Sequence, residues 1–334
     1  MPATIKDVAR LAGVSVTTAH RALTGKGDLG AEKRDRVLDA ARHLDYVPSA
    51  AARSLVSGRS RTLGMVVSNN ASPVYADILR GVESVARGRG YGLLLCNSDD
   101  DQERALDCLE LLRAQRVDGV LLTPVQSDRR DVDYLRDAHI PYVLLLRHFS
   151  NPLDDFVITS NETASFAVTR LLIELGHQRI GYVAGPTEVS SARERLAGFI
   201  RAMTESGLPI AQFPPDGNPY TVEGGYRGAM QILRADLRPT AIVAANDLMA
   251  VGVLKAAREL GLHIPRDLAL VGGDNIELAE FLDPPLTTFH QPALALGCRA
   301  AEILLDRIDG DERPPHHVTF VPDLVVRASS GEST

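Results

Sequence analysis

The sequence predicts a small all-α head followed by an α/β body of two lobes, each a doubly wound parallel sheet. Two short helical patterns around a glycine-containing turn lie near the N-terminus, whereas from Thr62 onward apolar runs alternate with amphipathic stretches. The balance of basic and acidic side chains also changes at Thr62. Residues 1–61 carry 11 basic and 6 acidic side chains, and the remainder carries 25 basic and 37 acidic side chains.

The head begins with two helices. Thr4, followed three residues later by Asp7, is typical of a capped helix start and predicts a first helix from Ile5 to about Ala12. After the glycine-containing turn, the hydroxyl of Ser15 can cap a second helix from Val16 to Leu23. Two short helices around such a turn form a helix-turn-helix.

A third helix, from Ala31 to about Leu44, is predicted to close the core of the head. The residues expected on its inner face are Val37, Leu38, Ala41 and Leu44. The basic charge of the head favours contact with a polyanion, although a well-solvated pair of Arg-rich helices would give the same count.

The second helix supplies the candidate groups for reading DNA, because in a helix-turn-helix its N-terminal half enters the major groove. Arg21 can bond guanine with two donors, or it can contact a phosphate without reading sequence. Thr17 can bond a base edge or a phosphate, and Val16 can contact a thymine methyl group. Three further side chains are expected to cap helices or contact phosphates: Thr4, Ser15 and His20.

The segments TIKDVARLAGVSVTTAHRALTGKG and HLDYVPSAAARSLVSGRSRTLGMVV closely resemble the head and hinge of the lactose-repressor/galactose-repressor family. The similarity continues to about residue 327. It implies a helix-turn-helix DNA-binding domain at 1–46, a hinge helix and linker at 47–61, and an effector-binding and dimerisation domain at 62–334. The chain departs from the family at Ala19-His20, where the family usually has Val-Ser, and at Gly30, where the family usually has Ser or Thr.

The hinge is a short helix-forming stretch that starts at Pro48 and ends at Gly58. Alone it would be a flexible linker, because a single helix of about eight residues is marginal in water. The resemblance implies instead that it folds against its twin on DNA, with Leu55 wedged into the minor groove and Ala52 also at the DNA.

Seven apolar runs predict the strands of the body: TLGMVVS, GLLLCN, GVLLTP, YVLLL, RIGYVAG, TAIVAA and LALVGG. The expected helices cover Tyr75–Arg87, Gln102–Ala114, Glu162–Leu175, Ser191–Ser206, Glu223–Arg234 and Asp247–Leu260. Unbroken apolar strands with helical crossovers indicate parallel sheets. The resemblance is to the periplasmic-binding-protein type I fold, with an N-lobe at about 62–160 and 291–318 and a C-lobe at about 161–290 and 319–330.

Ligands of open parallel sheets bind beyond the carboxyl ends of the strands. Polar residues that follow the apolar runs are therefore candidates for contacting an effector: Thr123, Ser191, Arg195, Asn246 and Asp274. On sequence alone, Asn246 could equally cap a helix, Arg195 could form a surface ion pair, and Asp274 could lie in a turn.

The resemblance adds Gln291 to these candidates, and Tyr75 as a ring able to stack on a sugar face. Convergent carboxylate, amide and guanidinium groups suit a carbohydrate-like effector with several hydroxyls. In YVLLLRHF the family often has a polar or acidic residue where this chain has Leu146, followed here by Arg147. A guanidinium without that carboxylate would instead favour an acidic or phosphorylated effector.

The resemblance implies a homodimer on a pseudo-palindromic operator, whose affinity changes when the effector closes the lobes. A transport or chemotaxis binding protein would also fit the body, but it has no use for a basic head. An enzyme is not expected, because the sequence has no GxGxxG opening a helix after a strand and no GxSxG motif.

No cofactor is predicted, and the isolated cysteines Cys96, Cys108 and Cys298 indicate neither disulfides nor a metal site. We expect them to be reduced and buried. The N-terminus lacks the apolar segment of a leader, and no stretch approaches the roughly 20 apolar residues of a membrane span. A cytoplasmic protein without a membrane partner is therefore expected.

Overall fold

The computed structural model describes residues 3–24, 29–46, 58–125, 129–149, 151, 153–210 and 217–331. The chain divides into two compact units, Met1–Arg61 and Thr62–Thr334, which we call the head and the body. Within the described residues, no helix is long and apolar enough to cross a membrane.

The head contains the three predicted helices, with ends that differ from the prediction by at most one residue. They are α1 (Ile5–Ala12), α2 (Val16–Thr24) and α3 (Ala31–His43). The start of α1 is held by Asp7, whose carboxylate accepts hydrogen bonds from the Thr4 backbone N–H at 3.0 Å and from the Thr4 hydroxyl at 2.6 Å.

The core of the head is made of small apolar side chains: Val8, Ala9, Ala12, Ala19, Ala22, Val37, Ala40 and Ala41. The prediction for α3 is wrong at Leu38, which is 36% exposed. The inward face of α3 follows the spacing of Val37, Ala40, Ala41 and Leu44, and Leu38 lies one residue away from that stripe.

The first sheet of the body has six parallel strands in the order β10-β5-β4-β3-β1-β2. They are β1 (Thr62–Val67), β2 (Gly92–Asn97), β3 (Gly119–Leu122), β4 (Tyr142–Leu145), β5 (Phe156–Thr159) and β10 (His317–Phe320). The crossovers contain α4 (Pro73–Gly88), α5 (Gln102–Ala114) and α6 (Arg130–Asp137). At the edge, β2 is more exposed than its apolar sequence predicts, with Leu95 44% exposed.

The second sheet has three parallel strands in the order β6-β7-β8. Its elements are α7 (Asn161–Glu174), β6 (Ile180–Val183), α8 (Ser190–Glu205), α9 (Val222–Leu233), β7 (Ala241–Ala244), α10 (Asp247–Glu259), β8 (Ala269–Val271) and α11 (Leu278–Phe281). All residues of β6, β7 and β8 are buried, as expected for strands covered on both faces.

The last part of the chain joins the two lobes. Helix α12 (Ala293–Ile308) returns to pack on α4 and on the first sheet. Strand β9 (Thr288–His290) pairs antiparallel with β11 (Asp323–Val325), and a 3-10 turn follows at Ala328–Ser330. The cysteines are free as predicted, but the prediction that they are buried is wrong, because all three are only half-buried.

Helices α4 and α12 cross where two glycines allow the backbones to touch. A Cβ atom at Gly81 would lie 2.2 Å from the carbonyl oxygen of Leu294, and one at Gly297 would lie 2.1 Å from that of Ile78. Neither backbone can move aside without separating the helices, so glycine is required at both positions.

We therefore expect Gly81→Ala to lower the free energy of unfolding by about 1 to 3 kcal/mol, because overpacking outweighs the helix propensity of alanine. The control is Gly88→Ala at the end of the same helix, where a Cβ atom meets nothing within 4 Å. Urea denaturation of both variants measures the difference. Equal stability of the two variants would contradict the close crossing.

Candidate functional site

A cavity lies at the carboxyl ends of the strands of both sheets and encloses about 530 Å³ of empty space, counting its open mouth. Its lining is Ser68, Asn69, Ser72, Val74, Tyr75, Asp100, Leu146, Arg147, Asn161, Ser191, Arg195, Tyr220, Asn246, Asp274 and Gln291.

Seven of the eight residues predicted to contact an effector line this cavity: Tyr75, Arg147, Ser191, Arg195, Asn246, Asp274 and Gln291. Thr123 is not part of the lining. It follows β3 and is buried, and its hydroxyl has no hydrogen-bond partner among the described residues. The alternative of a surface ion pair for Arg195 does not hold, because its side chain is buried. Asp274 lies beyond the end of β8 with a positive φ, and its side chain is buried.

Arg195 is the centre of the hydrogen-bond network at the cavity. Its Nε donates to Asn161 Oδ1 at 2.8 Å, and one terminal nitrogen donates to the carbonyl oxygen of Ala245 at 2.6 Å. The other terminal nitrogen donates to Asp274 Oδ1 at 2.9 Å and to Gln291 Oε1 at 3.2 Å. The guanidinium thereby connects residues of α7, the ends of β7 and β8, and the segment after β9.

Beneath this network lies a second buried carboxyl group, Asp247, at the start of α10. It accepts hydrogen bonds from the Ile276 backbone N–H at 2.9 Å and from the Thr288 hydroxyl at 2.7 Å. Burial, with the charge of Asp274 adding to it, raises the pKa of Asp247 to about 7. Burial also raises the pKa of Asp274, against the opposing effect of Arg195.

Asn246 combines the two roles left open by the sequence. Its side-chain oxygen accepts a hydrogen bond from the Met249 backbone N–H at 2.9 Å, which caps α10. The same side chain lines the cavity. Because the cap uses the amide oxygen, the amide nitrogen is the group that Asn246 can direct toward a ligand.

Arg147 has a carboxylate partner that the sequence reading missed. A terminal nitrogen donates to Asp100 Oδ1 at 2.7 Å and to the carbonyl oxygen of Pro124 at 3.0 Å. The expectation of an acidic or phosphorylated effector rested on an unpaired guanidinium, and this pairing removes its basis. Also at the cavity, the Tyr75 hydroxyl lies 2.7 Å from Ser68 Oγ, which orients the tyrosine ring.

The charged groups lining the cavity therefore balance, with two guanidiniums against the carboxylates of Asp100 and Asp274. Bringing a further charge into such a site costs desolvation without an unpaired partner to offset it. The arrangement suits a neutral ligand that both donates and accepts hydrogen bonds. Within the described residues, no group of three or more His, Cys, Asp or Glu side chains could hold a metal ion.

Several lining residues were not predicted, notably Asp100, Asn161 and Tyr220. Ser68 comes directly after β1, and Asp100 lies three residues beyond the end of β2, so the rule that selected Asn246 would also have selected polar residues at these two strand ends. Tyr220 follows no strand, and the sequence carries no comparable signal for it.

In the head, α2 presents the predicted recognition face. Val16 is 43% exposed, Thr17 and Arg21 are exposed, and His20 is half-buried. Ala19 and Ala22 lie on the opposite face and are buried in the core. This face therefore exposes one cation, one hydroxyl and one apolar side chain.

Two other predicted DNA contacts have capping roles within the head. Both the backbone N–H and the hydroxyl of Thr4 donate to Asp7, and Ser15 Oγ accepts from the Thr18 backbone N–H at 3.1 Å. Phosphate oxygens only accept hydrogen bonds, so Thr4 has no donor left for one in this arrangement. The predictions for Ala52 and Leu55 lie outside the described residues.

Two family models match the chain. The model for bacterial regulatory proteins of the lacI family matches residues 4–49, and the model for a periplasmic binding protein-like domain matches residues 169–330. The predicted combination of a helix-turn-helix head and a periplasmic-binding-protein body is confirmed.

Known proteins resemble the chain over nearly its full length. The HTH-type transcriptional repressor PurR of Photobacterium profundum is 37% identical over 329 residues, which cover 98% of both chains, and PurR of Pasteurella multocida is 37% identical with the same coverage. A lac repressor dimer bound to operator and the anti-inducer ONPF has a TM-score of 0.89 at 29% identity, covering 99% of both chains. A CelR–cellobiose complex has a TM-score of 0.76 at 31% identity, covering 98% of this chain and 99% of that chain.

We expect Arg195→Met to lower the free energy of unfolding by about 3 to 5 kcal/mol, because Asp274 would be left buried without its cation. Arg201→Met is the control, since Arg201 lies on the same helix, forms exposed ion pairs with Glu162 and Glu205, and lies over the Phe166 ring. Its loss should cost at most about 1 kcal/mol. Denaturation at pH 7 measures both changes, and similar losses would show that the Arg195 network does not stabilise the fold.

Proposed function

The chain belongs to the LacI family of bacterial regulatory proteins, and we propose that it acts as a homodimeric repressor whose operator affinity is set by a neutral, carbohydrate-like effector. The observation that carries the repressor assignment is the 37% identity to PurR repressors over both the head and the body. Since the family consists of transcriptional regulators, the chain is a DNA-binding regulator and not an enzyme. A regulator of chromosomal genes works in the cytoplasm, where we place it.

We assign the reading of DNA to α2 of the head. Arg21, Thr17 and Val16 lie on its exposed face and match guanine, a base edge or phosphate, and a thymine methyl group, respectively. His20 stands beside them where the family usually has Ser, so we expect a distinct operator preference. The hinge at 47–61, with Leu55 and Ala52, completes the proposed interface by bending the operator centre.

The effector is proposed to bind in the cavity between the lobes. The balanced charges favour a neutral molecule, and the mixture of amide, hydroxyl and carboxylate groups favours one rich in hydroxyls. The Tyr75 ring provides an apolar face for a sugar ring. The CelR complex contains cellobiose, and another structure of a LacI family regulator, from Enterococcus faecium, contains ribose.

Control follows from the position of the cavity between the two sheets. We propose an N-lobe of about 62–160 and 291–318 and a C-lobe of about 161–290 and 319–330, with an effector that binds the closed form more tightly than the open form. Differential affinity of this kind shifts the equilibrium by about 1 to 3 kcal/mol. In a dimer, such as the lac repressor bound to operator, the shift would change the geometry of the paired heads on a pseudo-palindromic operator.

The DNA assignment predicts that Arg21→Ala weakens operator binding about 10- to 100-fold while leaving random-duplex binding nearly unchanged. Fluorescence anisotropy at fixed salt, with an operator selected from a random duplex pool, measures both affinities. Arg42→Ala, which removes an exposed arginine of α3 paired with Asp39, is the control and should not change the ratio of the two affinities. An equal loss on both duplexes in Arg21→Ala would reduce Arg21 to a phosphate contact.

The effector assignment predicts that a neutral sugar raises the melting temperature and changes operator affinity. A ligand at 100 times its dissociation constant adds about 2.7 kcal/mol of stability. The screen compares neutral mono- and disaccharides with sugar acids, sugar phosphates and nucleosides. A shift with anionic sugars or nucleosides alone would overturn the assigned class.

Asn246→Ser separates binding from stability in this screen, because serine caps a helix as well as asparagine but lacks the amide donor. We expect an unchanged melting temperature without ligand and about 3- to 10-fold weaker effector binding. Unchanged binding would exclude a contact between the effector and Asn246.

A further inference from the structure

A histidine joins the two lobes at the edge of the cavity. The backbone N–H of His148, just after β4 of the first sheet, donates to Ser190 Oγ at 3.0 Å, and its ring Nε2 lies 2.7 Å from Glu194 Oε1. Ser190 and Glu194 lie on α8, which follows the first strand of the second sheet. His148 follows Arg147 and Glu194 precedes Arg195, so the two partners adjoin the two arginines of the cavity.

Both nitrogens of the His148 ring face hydrogen-bond acceptors. Nε2 faces the Glu194 carboxylate, and Nδ1 lies 3.1 Å from the carbonyl oxygen of Phe149. A neutral imidazole has one N–H group and can satisfy only one of these two acceptors. The doubly protonated imidazolium satisfies both, so this geometry favours the cation.

The far side of Glu194 supports this reading. Its second oxygen accepts from Asn161 Nδ2 at 3.0 Å, and Asn161 Oδ1 accepts from Arg195 Nε at 2.8 Å. Because arginine can only donate, the orientation of the Asn161 amide is fixed and its nitrogen must face Glu194. An acceptor-only carboxylate at Glu194 fits both neighbours. A chain of hydrogen bonds thus runs from His148 to the guanidinium at the centre of the cavity.

The other charged and aromatic groups near His148 act less strongly. The Glu194 hydrogen bond is the main cause of a raised pKa for His148, while burial and the positive charge of Arg193 oppose it. The ring of Phe156 packs 5.0 Å from the His148 ring, and His317 stacks on Phe156 at 4.4 Å. His317 is therefore a titratable ring that reaches His148 only through Phe156.

We propose that His148 is a proton-binding site that couples closure of the lobes to pH, because its contact with Glu194 holds a proton between the two lobes. For a histidine whose pKa is raised by its partner, the stabilisation is complete below the ordinary value of 6.5 and is lost as pH rises through the higher value. Closure is thus favoured at acidic pH and weakens under alkaline conditions. The proton-binding site itself does not depend on the proposed function. Only the effect of lobe closure on operator binding rests on it.

The test follows the histidines of the full-length protein by NMR, with ¹³C at Cε1 of all nine. His148→Gln identifies the His148 signal by its absence. We expect a titration midpoint above 6.5 in the unaltered protein and a lower midpoint in Glu194→Gln. Glu205→Gln, the same change at an exposed position of the same helix, should leave the midpoint unchanged.

A midpoint at or below 6.5, or an equal midpoint in Glu194→Gln, would overturn the proposal. Melting temperatures of the His148→Gln and Glu194→Gln variants and of the double variant provide a second readout. The coupling between the two changes should be present at pH 6.0 and absent at pH 8.5, and equal coupling at both values would also overturn it. Neither measurement uses DNA or an effector. A negative result would therefore leave the repressor assignment unaffected. Failure of the protein to bind operator would likewise leave the proposal for His148 unaffected.

Discussion

The body depends on one buried guanidinium. Arg195 is removed from water and is stable there only because Asn161, Ala245, Asp274 and Gln291 all accept hydrogen bonds from it. These acceptors come from separate elements that meet at the carboxyl ends of the second sheet. The face of Phe289, 4.9 Å away, adds a further favourable surface for the cation. The positions of the polar groups around the cavity are therefore set before a ligand arrives.

The charge balance of the cavity bears on the class of ligand and on the closure of the lobes. Because the Arg195–Asp274 and Arg147–Asp100 pairs each come to zero net charge, selectivity must come from hydrogen bonds and shape. The Arg195–Asp274 pair lies at the second sheet, and the Arg147–Asp100 pair lies at the first sheet. Between them, the contact of His148 with Ser190 and Glu194 joins the lobes. A small molecule that fits between the two pairs can therefore favour closure without bringing a charge of its own.

Much of this could be predicted from the sequence, because the strands and helices carry strong periodic patterns. The rule that ligands bind beyond parallel strands located Asn246 and Asp274, and the family resemblance added Gln291. The predictions that failed depended on contacts between residues that are distant in the chain. The carboxylate partner of Arg147 is 47 residues away at Asp100. Leu38 was misplaced because two adjacent apolar residues on a short helix leave its inner face ambiguous, and packing against α1 and α2 decides it.

The most direct test of this account is a crystal structure of the dimer with its effector bound. We predict a neutral ligand between the lobes, with Arg195 still paired to Asp274 and Arg147 still paired to Asp100. An anionic group bound to either guanidinium, with the partner carboxylate displaced, would contradict the account.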